Sequence, residues 1–176
     1  MRRLLVICAL AVLAAADCHA ARTVEGVVRT VYDGDTILLA TREASRLKVR
    51  LYGIDAPETA KPDKPGQPFG EAARRALLSK IIGKKVSAEV VDIDRYRRAV
   101  AVIRYAGRDI NLEMVAEGMA WAYRRFLQAP YASEYLGAEN SARSRRAGLW
   151  RDVNPRPPWE FRQALNGGKR PGRRHR

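Results

Sequence analysis

The stretch Thr23-Val24-Glu25-Gly26-Val27-Val28-Arg29-Thr30-Val31-Tyr32-Asp33-Gly34-Asp35-Thr36-Ile37-Leu38-Leu39-Ala40-Thr41 decides how this chain folds. Two runs rich in β-branched and aliphatic residues, Thr23 to Val31 and Thr36 to Thr41, flank Asp33-Gly34, a dipeptide suited to a tight hairpin turn. The next run extends the pattern. Leu47, Val49 and Leu51 alternate with Lys48, Arg50 and Tyr52, which gives a third strand one apolar face and one cationic-aromatic face. Pro57 ends it, and a loop rich in Lys and Pro follows from Lys61 to Pro68.

Beyond that loop the period changes. Phe69, Ala72, Ala73, Ala76, Leu77, Lys80 and Ile81 recur at helical spacing, and Gly83 supplies a stop. Val86 to Ile93 and Ala99 to Tyr105 predict a second strand pair connected by Asp94 to Arg98. Asn111 is the expected cap of a short helix that turns Leu112, Val115 and Met119 inward. A last helix is expected from about Ala132 to Ala147, with Gly148 as its stop and Arg143, Arg145 and Arg146 where cations suit the helix dipole. Three strands, a helix, two strands and two helices predict an α+β, mainly β fold: a five-stranded oligonucleotide-binding (OB) barrel with three packed helices.

The ends of the chain read differently. Arg2 and Arg3 precede an apolar run, Leu4 to Ala16, too short to span a bilayer, and small residues follow. Residues 1–20 are therefore expected to be a signal peptide cleaved after Ala20, and the protein to be exported, either periplasmic or secreted. Both cysteines, Cys8 and Cys18, fall in that leader, so the mature domain is expected to need no disulfide. Residues 21–160 then suit one domain with a full core. Past Pro155 the composition shifts to Pro, Gly and Arg, and residues 161–176 are expected to be a basic, disordered tail. The net charge of +14 draws polyanions and does not by itself choose between DNA, RNA, anionic lipid and others.

The chemistry-bearing residues sit at strand ends. Asp35 follows the first turn, Asp55 and Glu58 follow the third strand, and Asp94-Arg95-Tyr96-Arg97-Arg98 opens the fifth. Gathered together, the three acids would repel by a few kcal/mol per pair at about 4 Å and an effective dielectric near 20. A divalent cation would offset that repulsion, and oxygen donors without nearby histidine or cysteine favour a hard ion such as calcium or magnesium. Arg50 and Arg98 are candidates for phosphate, because guanidinium groups bind it in a bidentate way and stay charged at every relevant pH.

In these residues the chain resembles the staphylococcal nuclease (thermonuclease) family, across roughly Val24 to Trp159. The carriers are Asp33-Gly34-Asp35-Thr36, Val49-Arg50-Leu51, Asp55-Ala56-Pro57-Glu58-Thr59, Phe69-Gly70-Glu71-Ala72, Asp94 to Arg98 and Ala147-Gly148-Leu149-Trp150. The resemblance implies an OB barrel and calcium-dependent hydrolysis of DNA and RNA at the bond to the 5′ oxygen. It implies Ca2+ held by Asp35, Asp55 and the backbone carbonyl of Ala56, Glu58 as general base or water-orienting acid, and Arg50 and Arg98 on phosphate. Residue 56 is alanine where the best-studied form has threonine, and Arg97 replaces a glycine. Tyr96 matches one family tyrosine, and Tyr123 fits the nucleobase platform loosely; both are expected to contact nucleic acid.

The expected activity is thus an exported, sugar-nonspecific (endo)nuclease acting as a monomer, with no stable protein partner, on single-stranded or frayed DNA and RNA. The rival expectation is a nucleic-acid-binding OB module without catalysis. The acid set separates the two, because binding phosphate has no use for three carboxylates beside it.

Overall fold

A computed structural model describes residues 22–43 and 45–167. The opening hairpin forms as its pattern demands, from β1 (Arg22–Asp33) and β2 (Thr36–Thr41), and β3 (Arg46–Leu51) pairs antiparallel with β2. The second pair, β5 (Lys85–Ile93) and β6 (Ala99–Tyr105), joins the sheet through β1. The order is β3-β2-β1-β5-β6, and a parallel pairing of β3 with β6 closes the cylinder. The five long strands therefore make the expected OB barrel. Bulges in β1, between Val28 and Thr30 and between Val31 and Asp33, add the local twist that closure needs. Its interior is aliphatic: Val28, Ile37, Leu39, Val49 and Ile103 are all fully buried.

Short strands and helices finish the fold. β4 (Ile54–Asp55) pairs with β8 (Trp121–Ala122), and β7 (Arg108–Asp109) extends β6. Helix α1 (Gly70–Ile81) buries Ala73, Leu77 and Ile81, one stripe at helical spacing. Helices α2 (Ile110–Ala116) and α3 (Tyr131–Ser144) pack on each other and on the barrel. Among the described residues there are four helices, not three; the fourth, α4 (Pro158–Gly167), crosses the expected domain end at residue 160. Residues 161–167 are therefore not tail. The expected signal peptide, and the tail from residue 168 on, lie outside the described residues. Among the described residues no helix is long and apolar enough to cross a membrane.

Three local expectations are corrected. Asp109, not Asn111, caps α2: its carboxylate accepts the Leu112 N–H at 2.9 Å. Asn111 is instead a buried tie. Its Oδ1 accepts the Ile103 N–H at 3.1 Å, and its Nδ2 donates to the carbonyls of Tyr52 at 3.0 Å and Ala101 at 3.1 Å. Helix α3 stops at Ser144, short of Ala147, because Arg146 takes a left-handed conformation (φ 51°). Tyr52 does not join Arg50 on an exposed face. It turns inward, and its hydroxyl accepts the Gln128 N–H at 2.9 Å.

Candidate active site

Gly34 brings the first acid to the barrel rim. A Cβ there would lie 2.6 Å from the Ala56 Cβ and 2.7 Å from the Ala73 Cβ, so only glycine lets the β1–β2 turn press against both. Asp35 is thereby sunk to 2% exposure. Its Oδ2 accepts the Ala56 N–H at 2.9 Å, and its Oδ1 accepts the Thr36 hydroxyl at 2.9 Å. The β2–β3 register pairs Thr36 with Arg50. That register sets the Arg50 guanidinium beside Asp35, where Nη1 donates to Oδ1. Its other nitrogen, Nη2, donates to Asp55 Oδ1 at 2.6 Å. Asp55 is held in β4 against Trp121 of β8 and is fully buried.

Glu58 is positioned by its backbone. Its N–H donates to Gln67 Oε1 at 3.1 Å, and its carbonyl accepts the Gln67 N–H at 2.8 Å. Gly70 is what allows α1 to start there, since a Cβ would meet the Glu58 carbonyl oxygen at 2.2 Å. Arg98 is fixed from its own loop: Nε and Nη2 each lie 2.7 Å from Asp94 Oδ2. Asp94 Oδ1 also accepts the N–H groups of Tyr96 at 2.9 Å and Arg98 at 3.0 Å. Arg97, standing where the family pattern has glycine, holds φ at 60° in that turn.

Arg50, Glu58 and Arg98 line one cavity of about 1050 Å³, with Tyr96 and Tyr123 on its walls. Asp35, Asp55 and Ala56 lie buried behind it. Tyr96 is open to solvent, with the Arg95 and Arg98 guanidinium carbons 4.9 and 5.5 Å from its ring centre. Tyr123 is already stacked, parallel to Trp159 at 5.1 Å, with Phe126 meeting it edge-on at 5.0 Å. One face of its ring is therefore taken.

A further guanidinium completes the site. Arg162 of α4 grips Asp55 with both nitrogens, Nη1 to Oδ1 at 3.1 Å and Nη2 to Oδ2 at 2.8 Å, and Nη1 also donates to Glu58 Oε1 at 2.7 Å. Phe161 and Leu165 of the same helix line the cavity beside it. The sequence reading missed this helix because the Pro-, Gly- and Arg-rich end looked uniform. The available signal was Pro158 at a helix start, followed by Trp159, Phe161 and Leu165.

The electrostatics show a site that demands positive charge. Burial pushes the Asp35 carboxyl well above its ordinary range, against the lowering influence of Arg50, and Asp33 and Asp55 push the same way as burial. Burial opposes charge on Arg50 and Arg162 too, yet the neighbouring carboxylates raise both. Among the described residues no group of three or more His, Cys, Asp or Glu is arranged around a metal. The two buried carboxylates nevertheless fit a hard cation by chemistry, since both converge on one positive group and offer only oxygen. In this arrangement Arg50 and Arg162 meet that demand.

The family model described as staphylococcal nuclease homologue matches residues 48–152. A Haemophilus influenzae protein called an uncharacterized endonuclease is 39% identical over 133 residues, 76% of this chain and 70% of that one. A micrococcal nuclease of Shigella flexneri is 39% identical over 149 residues, 79% of this chain and 80% of its own. A probable staphylococcal-like nuclease of Oryza sativa subsp. japonica is 38% identical over 125 residues, and the match spans only 35% of its length. With its closed barrel and this site, the chain belongs to the staphylococcal nuclease homologue family.

Proposed function

We propose that the protein is a calcium-dependent nuclease that hydrolyses DNA and RNA phosphodiesters at the P–O5′ bond. The observation that carries this reading is one cavity lined by Glu58, Arg50 and Arg98, with two buried carboxylates directly behind it. Relatives named as nucleases, matched along most of their length, support the same reaction class.

Asp35, Asp55 and the backbone of Ala56 would hold the cation, which supplies charge neutralisation at the phosphate. Glu58 accepts a proton from the attacking water as the new P–O bond forms. The P–O5′ bond breaks, the 5′ oxygen takes a proton from solvent water and leaves as a hydroxyl, the proton on Glu58 returns to solvent, and the phosphate stays on the 3′ side. Arg50 and Arg98 neutralise the charge that grows on the non-bridging oxygens, for which preorganised donors provide several kcal/mol. Tyr96, and the free side of Tyr123, would support bases of a single or frayed strand. Export in monomeric form completes the proposal.

Glu58→Gln tests it. General-base assistance is worth about 10²–10⁴-fold, so kcat on single-stranded DNA with calcium should fall by at least about 100-fold while the fold is retained by circular dichroism. Turnover near wild type would remove Glu58 from the reaction, and no cleavage by the wild type in calcium would favour the non-catalytic binding module.

A further inference from the structure

We infer that Arg162 is a positioning residue that stands in for the cation on Asp55 and exchanges its carboxylate partners for substrate phosphate, which couples cation binding to nucleotide binding. The inference rests on the nuclease reading above and adds to it a residue beyond the matched segment, which ends at 152.

The bonding of Asp55 carries the case. Asp55 Oδ1 receives Arg50 at 2.6 Å and Arg162 at 3.1 Å, and Oδ2 receives Arg162 at 2.8 Å. Both oxygens are thus taken, and the carboxylate is fully buried, so any new cation must replace a guanidinium. The two candidates for withdrawal differ. Arg50 projects from a barrel strand, joins two acids, and its side chain is 18% exposed. Arg162 is 36% exposed and projects from the short helix α4, so it can leave without disturbing the barrel.

Its destination is in the same cavity. Arg162 shares those walls with Arg50 and Arg98, and its planar fork suits a phosphate as well as a carboxylate. Phosphate that engages Arg162 clears Asp55 and Glu58, and a cation on Asp55 releases Arg162 toward phosphate. Each ligand must then tighten the other by the same factor. Trp159, stacked on Tyr123 and edge-on to Trp121 at 5.6 Å, anchors α4 while Arg162 moves.

The test is calorimetric titration of calcium into full-length protein, with and without thymidine 5′-phosphate. In the absence of nucleotide, Arg162→Ala should bind calcium about tenfold or more tightly than wild type, because a charge-assisted contact no longer has to be broken. Arg162→Lys should fall between them. The tightening of calcium by thymidine 5′-phosphate should be large in wild type and shrink severalfold in Arg162→Ala. Arg145→Ala controls for net charge, since among the described residues the Arg145 guanidinium bonds to Ser141 and the Ala116 carbonyl, away from the acids of the site, and its calcium affinity should match wild type within about twofold. Equal calcium affinity in wild type and Arg162→Ala overturns the inference, as does a gain in nucleotide-free calcium affinity in Arg145→Ala as large as that in Arg162→Ala. Calcium binding to none of the proteins overturns the metal reading and the inference with it.

Discussion

At the scale of single residues, Asn111 shows how a buried amide can hold a catalytic geometry it never touches. It ties β6 to the backbone of Tyr52, two residues beyond Arg50, through three hydrogen bonds. Asn111→Ala would strand the Ile103 N–H and the Tyr52 carbonyl, whereas Ala101 keeps a bond from the Tyr52 N–H at 2.8 Å. At about 1–3 kcal/mol for each of these two unsatisfied buried groups, the expected loss is roughly 2–6 kcal/mol. Urea denaturation measures it, and a loss under about 1 kcal/mol would mean water replaces the amide. The residue type was visible in the sequence, but its role was misread. A polar residue ahead of an apolar run looks like a cap, and only the neighbouring Asp109 carboxylate reaching Leu112 shows otherwise.

At the scale of elements, α1 and α2 are clamped by charge. Lys80 of α1 reaches Glu113 of α2 at 3.0 Å and Glu117, just past the end of α2, at 2.6 Å, and Glu113 also takes Arg108 at 2.6 Å. The Arg108 hydrogen bond, helped by Lys80 and opposed by partial burial, holds the Glu113 carboxyl below its ordinary value of 4.5. A lowered folded-state value means the contribution is present above about pH 4.5 and is lost as pH falls through the folded value. Glu113→Gln should therefore lower stability by under about 1 kcal/mol at pH 7, given the exposure of its partners. The gap in Tm from wild type should close as pH falls below the folded value, and a gap independent of pH would assign the effect to packing. Helix α4 carries a second lesson at this scale. Its short amphipathic pattern was written in Trp159, Phe161 and Leu165, but the surrounding Pro and Arg masked it.

At the scale of the whole molecule, a net charge of +14 concentrates function on one face only where the fold gathers it. Arg50, Arg98 and Arg162 line a single cavity, so binding of single-stranded DNA should release counterions there. Three phosphates neutralised on a single strand give a slope of log K against log salt of about −2, and additional basic contacts make it steeper. Fluorescence titration of Glu58→Gln protein in chelator measures this, and a slope near zero would separate the charge from binding. Removing residues 168–176 should flatten the slope and leave the saturated cleavage rate of the wild-type background unchanged.

The barrel and most of the acids and arginines followed from local pattern. Alternation set the five strands, Asp33-Gly34 set the hairpin, and Asp35, Arg50, Asp55, Glu58 and Arg98 stood at strand ends where a closed sheet brings them to one rim. These are near-neighbour effects, and period and turn chemistry report them. The capture of Arg162 by Asp55 and Glu58 was not legible, because it joins positions 107 and 104 residues apart. Nothing in a run of Pro, Gly and Arg says which cation will meet which acid. That pairing was decided by the docking of one helix against a finished barrel, where buried carboxylates take whatever positive group the tertiary structure brings within reach.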